Sequence, residues 1–231
     1  MEQFSAEVQY HSAYNFLSLK GAIAERWAHG PAFGAYSELA QQAVSLTAGP
    51  DRDNDIQGLY GLKSSSFRRR NVTDYSATRD LAMRWLGDVF EVLDPQRSVA
   101  VVAHWFGLYP IANPARATQG LRQRYAVPQA VSAFKLDGHS QWLSGVDGMT
   151  INGNENLSYV IGAVGPPHRG RPFSWEDEDR DSKWWMGVNV TIEKFNESGL
   201  DDPLHDLEDL LARGAKYYSG ICTRELPFIV G

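Results

Sequence analysis

Only one cysteine, Cys222, stands in the 231 residues of this chain, so no intramolecular disulfide can form. That fits a reducing cytoplasm. Long apolar runs are missing too: none approaches the roughly 20 residues that cross a bilayer. The opening "MEQFSAEVQY" has no basic region followed by an apolar one, so it does not read as a signal segment. The expectation is a soluble, cytoplasmic protein with no membrane attachment. Positive charge is in deficit, with a net charge of −6 and a pI of about 5.5. No broad attraction for nucleic acid or anionic lipid follows from such a balance.

Catalytic signatures are equally scarce. The chain holds no glycine-rich phosphate loop, no G-x-S-x-G elbow, no H-E-x-x-H and no paired C-x-x-C. Nucleases of the carboxylate-carboxylate-lysine type use an acid followed by E-x-K. Glu193-Lys194 lacks the intervening residue that would put both on one strand face. Catalytic residues are therefore unknown, and no cofactor is expected. Triads assembled from distant positions stay open, because sequence spacing does not constrain them.

What is present describes a globular protein. Hydrophobic residues make up 43% of the chain and aromatics 12%, enough to build a core rather than a disordered segment. In "SAEVQYHSAY", Ala6, Val8 and Tyr10 alternate with Glu7, Gln9 and His11, the pattern of a half-buried strand. Leu19, Ile23 and Trp27 recur at helical spacing, and Gly30-Pro31 breaks the chain. Phe33, Tyr36, Leu39, Ala40 and Ala43 resume that spacing and predict a second helical stretch. "GLYGLKS" and "SFRRRNVTDY" read as short strands. A clear helix then follows Ser76 as N-cap, with Leu81, Ala82, Trp85, Leu86, Val89, Phe90 and Leu93 on one stripe, and ends at Asp94-Pro95. "SVAVVAHWFGLYPI" is apolar on both parities and predicts a central strand.

The chain changes character around "NPARATQGLRQRYAVPQ". Asp137-Gly138 and Asp147-Gly148 look like turns, and "NLSYVIGAVG" and "KWWMGVNVTIEKF" look like strands. In the last of these, Trp184, Met186, Val188, Val190 and Ile192 share one face. A final helix opens with Asp202 as N-cap and Pro203 in first position, and buries Leu204, Leu207, Leu211, Ala215 and Tyr218. The fold class is α+β: a mainly antiparallel sheet with helices packed on it. Residues 1–112 form a β-α-β-β-α-β half, and residues 113–231 form strands closed by a helix. The two read either as pseudo-repeated halves or as one continuous domain.

The densest stretch is "SWEDEDRDSKWW", residues 174–185. As a calcium loop it fails, because Ser182 or Trp184 stands where the loop glycine belongs, and Arg180 and Lys183 sit among the acids. "DRDND" at 51–55 fails likewise, with Ile56 in the glycine place. No metal site is expected. Period-two alternation puts Trp185 beside Lys183, Asn189 and Thr191 on a polar face, a composition found at binding hot spots. A second covering layer would make it core instead. "PPHRGRPF" carries His168 and Arg171 on a stiff loop before Trp175. "FRRRN" supplies Arg68 and Arg70, with Arg69 on the opposite strand face. These six, Trp175, Trp185, His168, Arg171, Arg68 and Arg70, are the candidate binding residues. The acidic run 176–181 would supply rim charge. Arg97 and His104 have a spacing used by helical ribonucleases but fall on a strand, and His205 lies four residues before Asp209.

Two segments carry a resemblance. "FSAEVQYHSAYNF" (Phe4–Phe16) is similar to the opening strand of a sporadically distributed bacterial family of roughly this length with no assigned activity. "LHDLEDLLARGAKYYSGICTREL" (Leu204–Leu226) is similar to its last helix, although the Thr223-Arg224-Glu225 ending is one residue longer. The resemblance carries no catalytic residue. It implies a setting in mobile elements or antiviral defence. The functional expectation is a protein-binding module, or a subunit of a larger assembly or homo-oligomer, whose partner is another protein. The alternative is a metal-dependent hydrolase or nuclease using His104, Arg68 and Arg70, with nucleic acid the less favoured partner.

Overall fold

The computed structural model describes residues 1–28, 33, 35–39, 42–47, 56–125, 142–164 and 184–230. Its strands are β1 (Gln3–Ser12), β2 (Ala35–Leu39), β3 (Ala43–Thr47), β4 (Ile56–Gly61), β5 (Ser64–Arg70), β6 (Gln96–Ile111), β7 (Trp142–Asn152), β8 (Glu155–Val164) and β9 (Trp184–Phe195). The helices are α1 (Phe16–Ala28), α2 (Tyr75–Leu93), α3 (Pro114–Tyr125), α4 (Pro203–Gly220) and α5 (Leu226–Val230). The strand order is β2-β3-β4-β5-β1-β6-β9-β8-β7, and β2-β3, β3-β4, β4-β5 and β5-β1 pair antiparallel. The α+β class expected from the sequence is what the chain adopts. Among the described residues, no helix is long and apolar enough to cross a membrane.

Compactness divides the chain into two units, and not at residue 112. Unit 1 comprises Met1–Trp105, Ile151–Leu157 and Thr191–Gly214, and unit 2 comprises Phe106–Thr150, Ser158–Val190 and Ala215–Gly231.

In unit 1 the alternation of β1 is realised as read. Phe4, Ala6, Val8 and Tyr10 are buried, while Glu7 is half-exposed and Gln9 and His11 are exposed. The register carries that alternation across neighbouring strands: Ala6 lies opposite Phe67 and Glu7 opposite Ser66. Helices α1 and α2 cover the apolar face. Trp85 on α2 stacks against Trp27, Phe33 and Tyr60 at centroid distances of 5.4, 5.1 and 5.8 Å. Its indole nitrogen donates to the Ser66 carbonyl at 3.0 Å. Gly58 on β4 makes room for this ring, since a Cβ there would lie 2.6 Å from it.

Several expectations are corrected in unit 1. The helical spacing over residues 33–44 does not make a helix: Ala35–Leu39 and Ala43–Thr47 pair as strands. Val44, Ser45 and Leu46 are all buried between β2 and β4, so strand pairing overrides an accidental 3.6-residue pattern. The unit opens β-α-β-β-β-β-α-β rather than β-α-β-β-α-β. The N-cap of α2 is Asp74, whose side chain accepts from the Ala77 N–H at 3.0 Å, and Ser76 falls inside the first turn. Its end at Asp94 is as expected, with that residue in the left-handed region and its N–H on the Phe90 carbonyl. Asp202 caps α4 by accepting from the His205 N–H at 3.0 Å.

In unit 2 the expected change of character after 112 hides a helix, α3, which starts after Asn113 accepts from the Arg116 N–H. Gly120 lets α3 approach α5, because a Cβ would meet the Ile229 carbonyl oxygen at 2.6 Å. Asp147-Gly148 is not a turn, since β7 runs through it. The reversal comes at Gly153-Asn154, which belongs to unit 1, where Gly153 takes φ 63°. Met186, Val188 and Val190 on β9 are fully buried, as their alternation required. After α4 the chain passes through one π-helical stretch, Ile221–Glu225, with the Leu226 N–H reaching back to the Ile221 carbonyl.

Candidate functional site

Of the six candidate binding residues, Trp175, His168 and Arg171 lie outside the described residues, as do the acidic run 176–181 and the 51–55 loop. The other three are placed, Trp185 in unit 2 and Arg68 and Arg70 in unit 1. Trp185 in unit 2 is half-buried and packs against buried Phe106 and Leu108. It is therefore partly core, and its replacement has a packing cost. Arg68 and Arg70 sit on the face of β5 away from α2, while Arg69 reaches Thr78 Oγ1 on α2 at 3.0 Å. The side-chain alternation read from "FRRRN" holds. Arg68 donates to the Gln57 amide oxygen at 2.5 Å. Burial, and then the neighbouring charge of Arg70, holds its pKa below the usual range.

A different set of side chains converges at one end of unit 1. Tyr10 and His11 come from the end of β1, Lys63 from the β4–β5 turn, Arg97 and Val99 from the start of β6, Phe195 from the end of β9, and Glu197 from the turn after it. They line a cleft of about 500 Å³. Tyr10 is its anchored edge: its hydroxyl donates to the Gly61 carbonyl at 2.8 Å and shares a 2.8 Å hydrogen bond with Ser65. Burial pushes that phenol up to about 12, against the smaller opposing pull of these hydrogen bonds. A second hollow of about 390 Å³, lined by Tyr14, Asn15, Asp94 and Gln96, lies at the same end. Tyr14 and Leu17 beside it are 76% and 66% exposed.

Arg97 is the most constrained member. It takes φ 53°, a left-handed conformation that costs a non-glycine residue on the order of 1 kcal/mol. The surrounding turn fixes it there. The Asn196 N–H donates to the Val99 carbonyl at 2.8 Å, and the Leu200 N–H to the Ser98 carbonyl at 2.7 Å. Asn196 Nδ2 closes the turn on the Gly199 carbonyl at 2.7 Å. Gly199, at φ 105°, is needed for its own conformation and for space, since a Cβ would meet Arg97 Cγ at 3.2 Å. The guanidinium then donates to the Glu197 carbonyl rather than to a carboxylate. Backbone strain held in place by its surroundings is a recognised feature of binding sites.

Several exposed or half-buried cations elsewhere are paired with acids: Arg26 with Asp88 and Glu91, Arg79 with Asp80, Arg124 with Glu225, Lys194 with Asp206, and Arg213 with Glu155 and Asp209. Among the described residues, His11, Lys63 and Arg97 have no ion pair. Asp209, which the sequence set beside His205, is instead held by Arg213 at 2.9 Å.

Unit 2 holds one further polar cluster. The Tyr109 hydroxyl lies 3.0 Å from that of Tyr218 and 2.9 Å from Cys222 Sγ. Gly107 is required beneath it, because a Cβ would lie 2.0 Å from the Tyr218 oxygen. Burial pushes both the Tyr218 phenol and the Cys222 thiol up, the opposite of the shift that activates a thiolate. Among the described residues, no group of three or more His, Cys, Asp or Glu is placed to hold a metal ion. His104 lies mid-strand on β6, and neither it nor Arg68 or Arg70 lines the cleft.

Sequence reasoning missed the cleft. His11 and Arg97 were noticed for other reasons, and Lys63 and Phe195 not at all. Their sequence separations hide the grouping, which arises because β5, β1, β6 and β9 are consecutive in the strand order. No family model matches the chain, and no curated protein matches it.

Proposed function

We propose that the protein is a binding module that docks another protein on the strand-end surface of unit 1. One observation carries this reading: Lys63 and Arg97, which have no ion pair among the described residues, converge with His11 beside Phe195, which is 41% exposed. Arginine and exposed aromatics are the residues that anchor protein interfaces, and unpaired rim charge speeds and selects encounter. Exposed Tyr14 and Leu17 extend the same end with apolar surface. The resemblance of residues 4–16 and 204–226 to a sporadically distributed bacterial family adds a setting, a cytoplasmic role in mobile-element or defence systems. Arg68 and Arg70, on β5 of the same unit, are secondary contacts in this reading.

The test is affinity capture from the native host with the wild type and a Lys63→Ala/Arg97→Ala/Phe195→Ala variant, followed by mass spectrometry. A partner kept by the wild type and lost by a folded variant is the expected result. Equal capture by both would move the interface elsewhere, and capture of nucleic acid or of the chain itself would change the partner class.

A further inference from the structure

We infer that the unit 1 cleft receives a single carboxylate carried beside an apolar side chain, so that the partner presents an acidic–aromatic segment; this rests on the reading of the protein as a binding module. The charge count comes first. Lys63 and Arg97 contribute two positive charges, Glu197 one negative, and His11 is neutral in the formal count. One net positive charge matches a monoanion. A dianionic phosphate ester would leave a charge uncompensated and would face the Glu197 carboxylate.

The geometry of Arg97 points the same way. One guanidinium nitrogen, Nη2, is committed to the Glu197 carbonyl. Among the described residues its other donors have no partner. A guanidinium anchored at one corner presents a planar edge of parallel N–H groups, the arrangement that grips a carboxylate through two hydrogen bonds. The left-handed backbone and the 196–199 turn hold the stem of this side chain before any ligand arrives. Little ordering is left for binding to do. Phe195 then supplies an apolar wall next to the charged one. A cleft of about 500 Å³ accommodates two adjacent side chains and lies within the usual range for small ligand sites.

The experiment uses the full chain and short fluorescent peptides on glycine-serine flanks, read by anisotropy. One set carries Asp or Glu next to Phe or Leu. The comparison sets replace the acid by Asn or Gln, or by phosphoserine, and inorganic phosphate serves as competitor. The acidic–aromatic peptides should bind, with affinity falling about tenfold on neutralising the acid. Arg97→Ala and Phe195→Ala should each lose about as much, and Arg97→Lys should recover only part, since an ammonium cannot reproduce the fork. Unchanged melting temperatures keep the variants interpretable, with Arg97→Gly as a second variant that suits the backbone. Tighter binding of phosphoserine peptides, or equal binding of the Asn and Asp peptides, would overturn the carboxylate assignment. If no peptide binds while the triple variant still loses its captured partner, this inference falls and the binding-module reading stands. If neither peptide nor captured partner responds to the triple variant, both fall.

Discussion

Arg213 and Arg97 are both exposed arginines of unit 1, and they are held in opposite ways. Arg213 lies between two carboxylates, with Nη2 2.8 Å from Glu155 and Nε 2.9 Å from Asp209. Arg97 is fixed through its backbone and one carbonyl, and forms no ion pair with a described acid. The same contrast separates two larger regions. Beneath α2, Trp85 is enclosed by Trp27, Phe33 and Tyr60, and its one polar atom is bonded to the Ser66 carbonyl. At the strand ends, cations and an aromatic ring face solvent. The first region maximises contact, and its residues answer to stability. The second leaves contact unmade, and its residues answer to whatever completes it.

Mutation is the direct way to break this comparison. Trp85→Ala should produce the largest effect, a loss of about 3–5 kcal/mol measured by urea denaturation, because a fully buried ring packed against three others leaves a cavity. A loss below about 1 kcal/mol would show that this core is not where stability resides.

Alkaline titration probes the border between the regions. Burial raises both Tyr10 and Tyr75 to about 12, from an ordinary value of 10.0. Their folded-state values exceed the unfolded ones, so their contribution is complete below pH 10 and is lost as pH rises toward 12. Each should cost about 1.4 kcal/mol per pH unit in that window. Urea midpoints measured from pH 9 to 11 should stay flat at first and then fall. A midpoint that is unchanged at pH 11 would mean that neither phenol is held by the fold.

Arg97→Gly sharpens the comparison from the other side. Glycine accepts φ 53° without strain, which offsets the lost hydrogen bond to Glu197. Stability should shift by less than about 1 kcal/mol in either direction, while partner capture is lost. A large destabilisation would place Arg97 with the structural residues. The smallest effect belongs to Lys63→Ala, an exposed residue in a turn, which should alter stability by under about 0.5 kcal/mol. Partner association in the wild type should slow with added salt, and this variant should show a weaker salt dependence by stopped-flow measurement.

Local periodicity carried much of the fold and little of the site. β1, α2, β6, β9 and α4 were readable because burial imposes a period of two or 3.6 on any sequence that forms them. The hairpin β2–β3 was not, since Phe33, Tyr36, Leu39 and Ala43 fit a helical spacing until pairing with β4 decides otherwise. The capping of α4 by Asp202 was legible, whereas that of α2 was misplaced by two residues because Asp74 and Ser76 are both acceptable caps. Trp185 shows the boundary of such reading: alternation gives its face, but only the packing on Phe106 and Leu108 shows how much of that face is covered.

By itself the sequence determined the α+β class, the apolar faces of the main elements and the lack of an intramolecular disulfide, because each follows from residue type and short-range spacing. Only the tertiary structure decided that His11, Lys63, Arg97 and Phe195 share one cleft, since neighbouring strands align residues far apart in the chain. It alone also decided which charges are satisfied. Pairing depends on distances between side chains on different elements, and no local pattern encodes them.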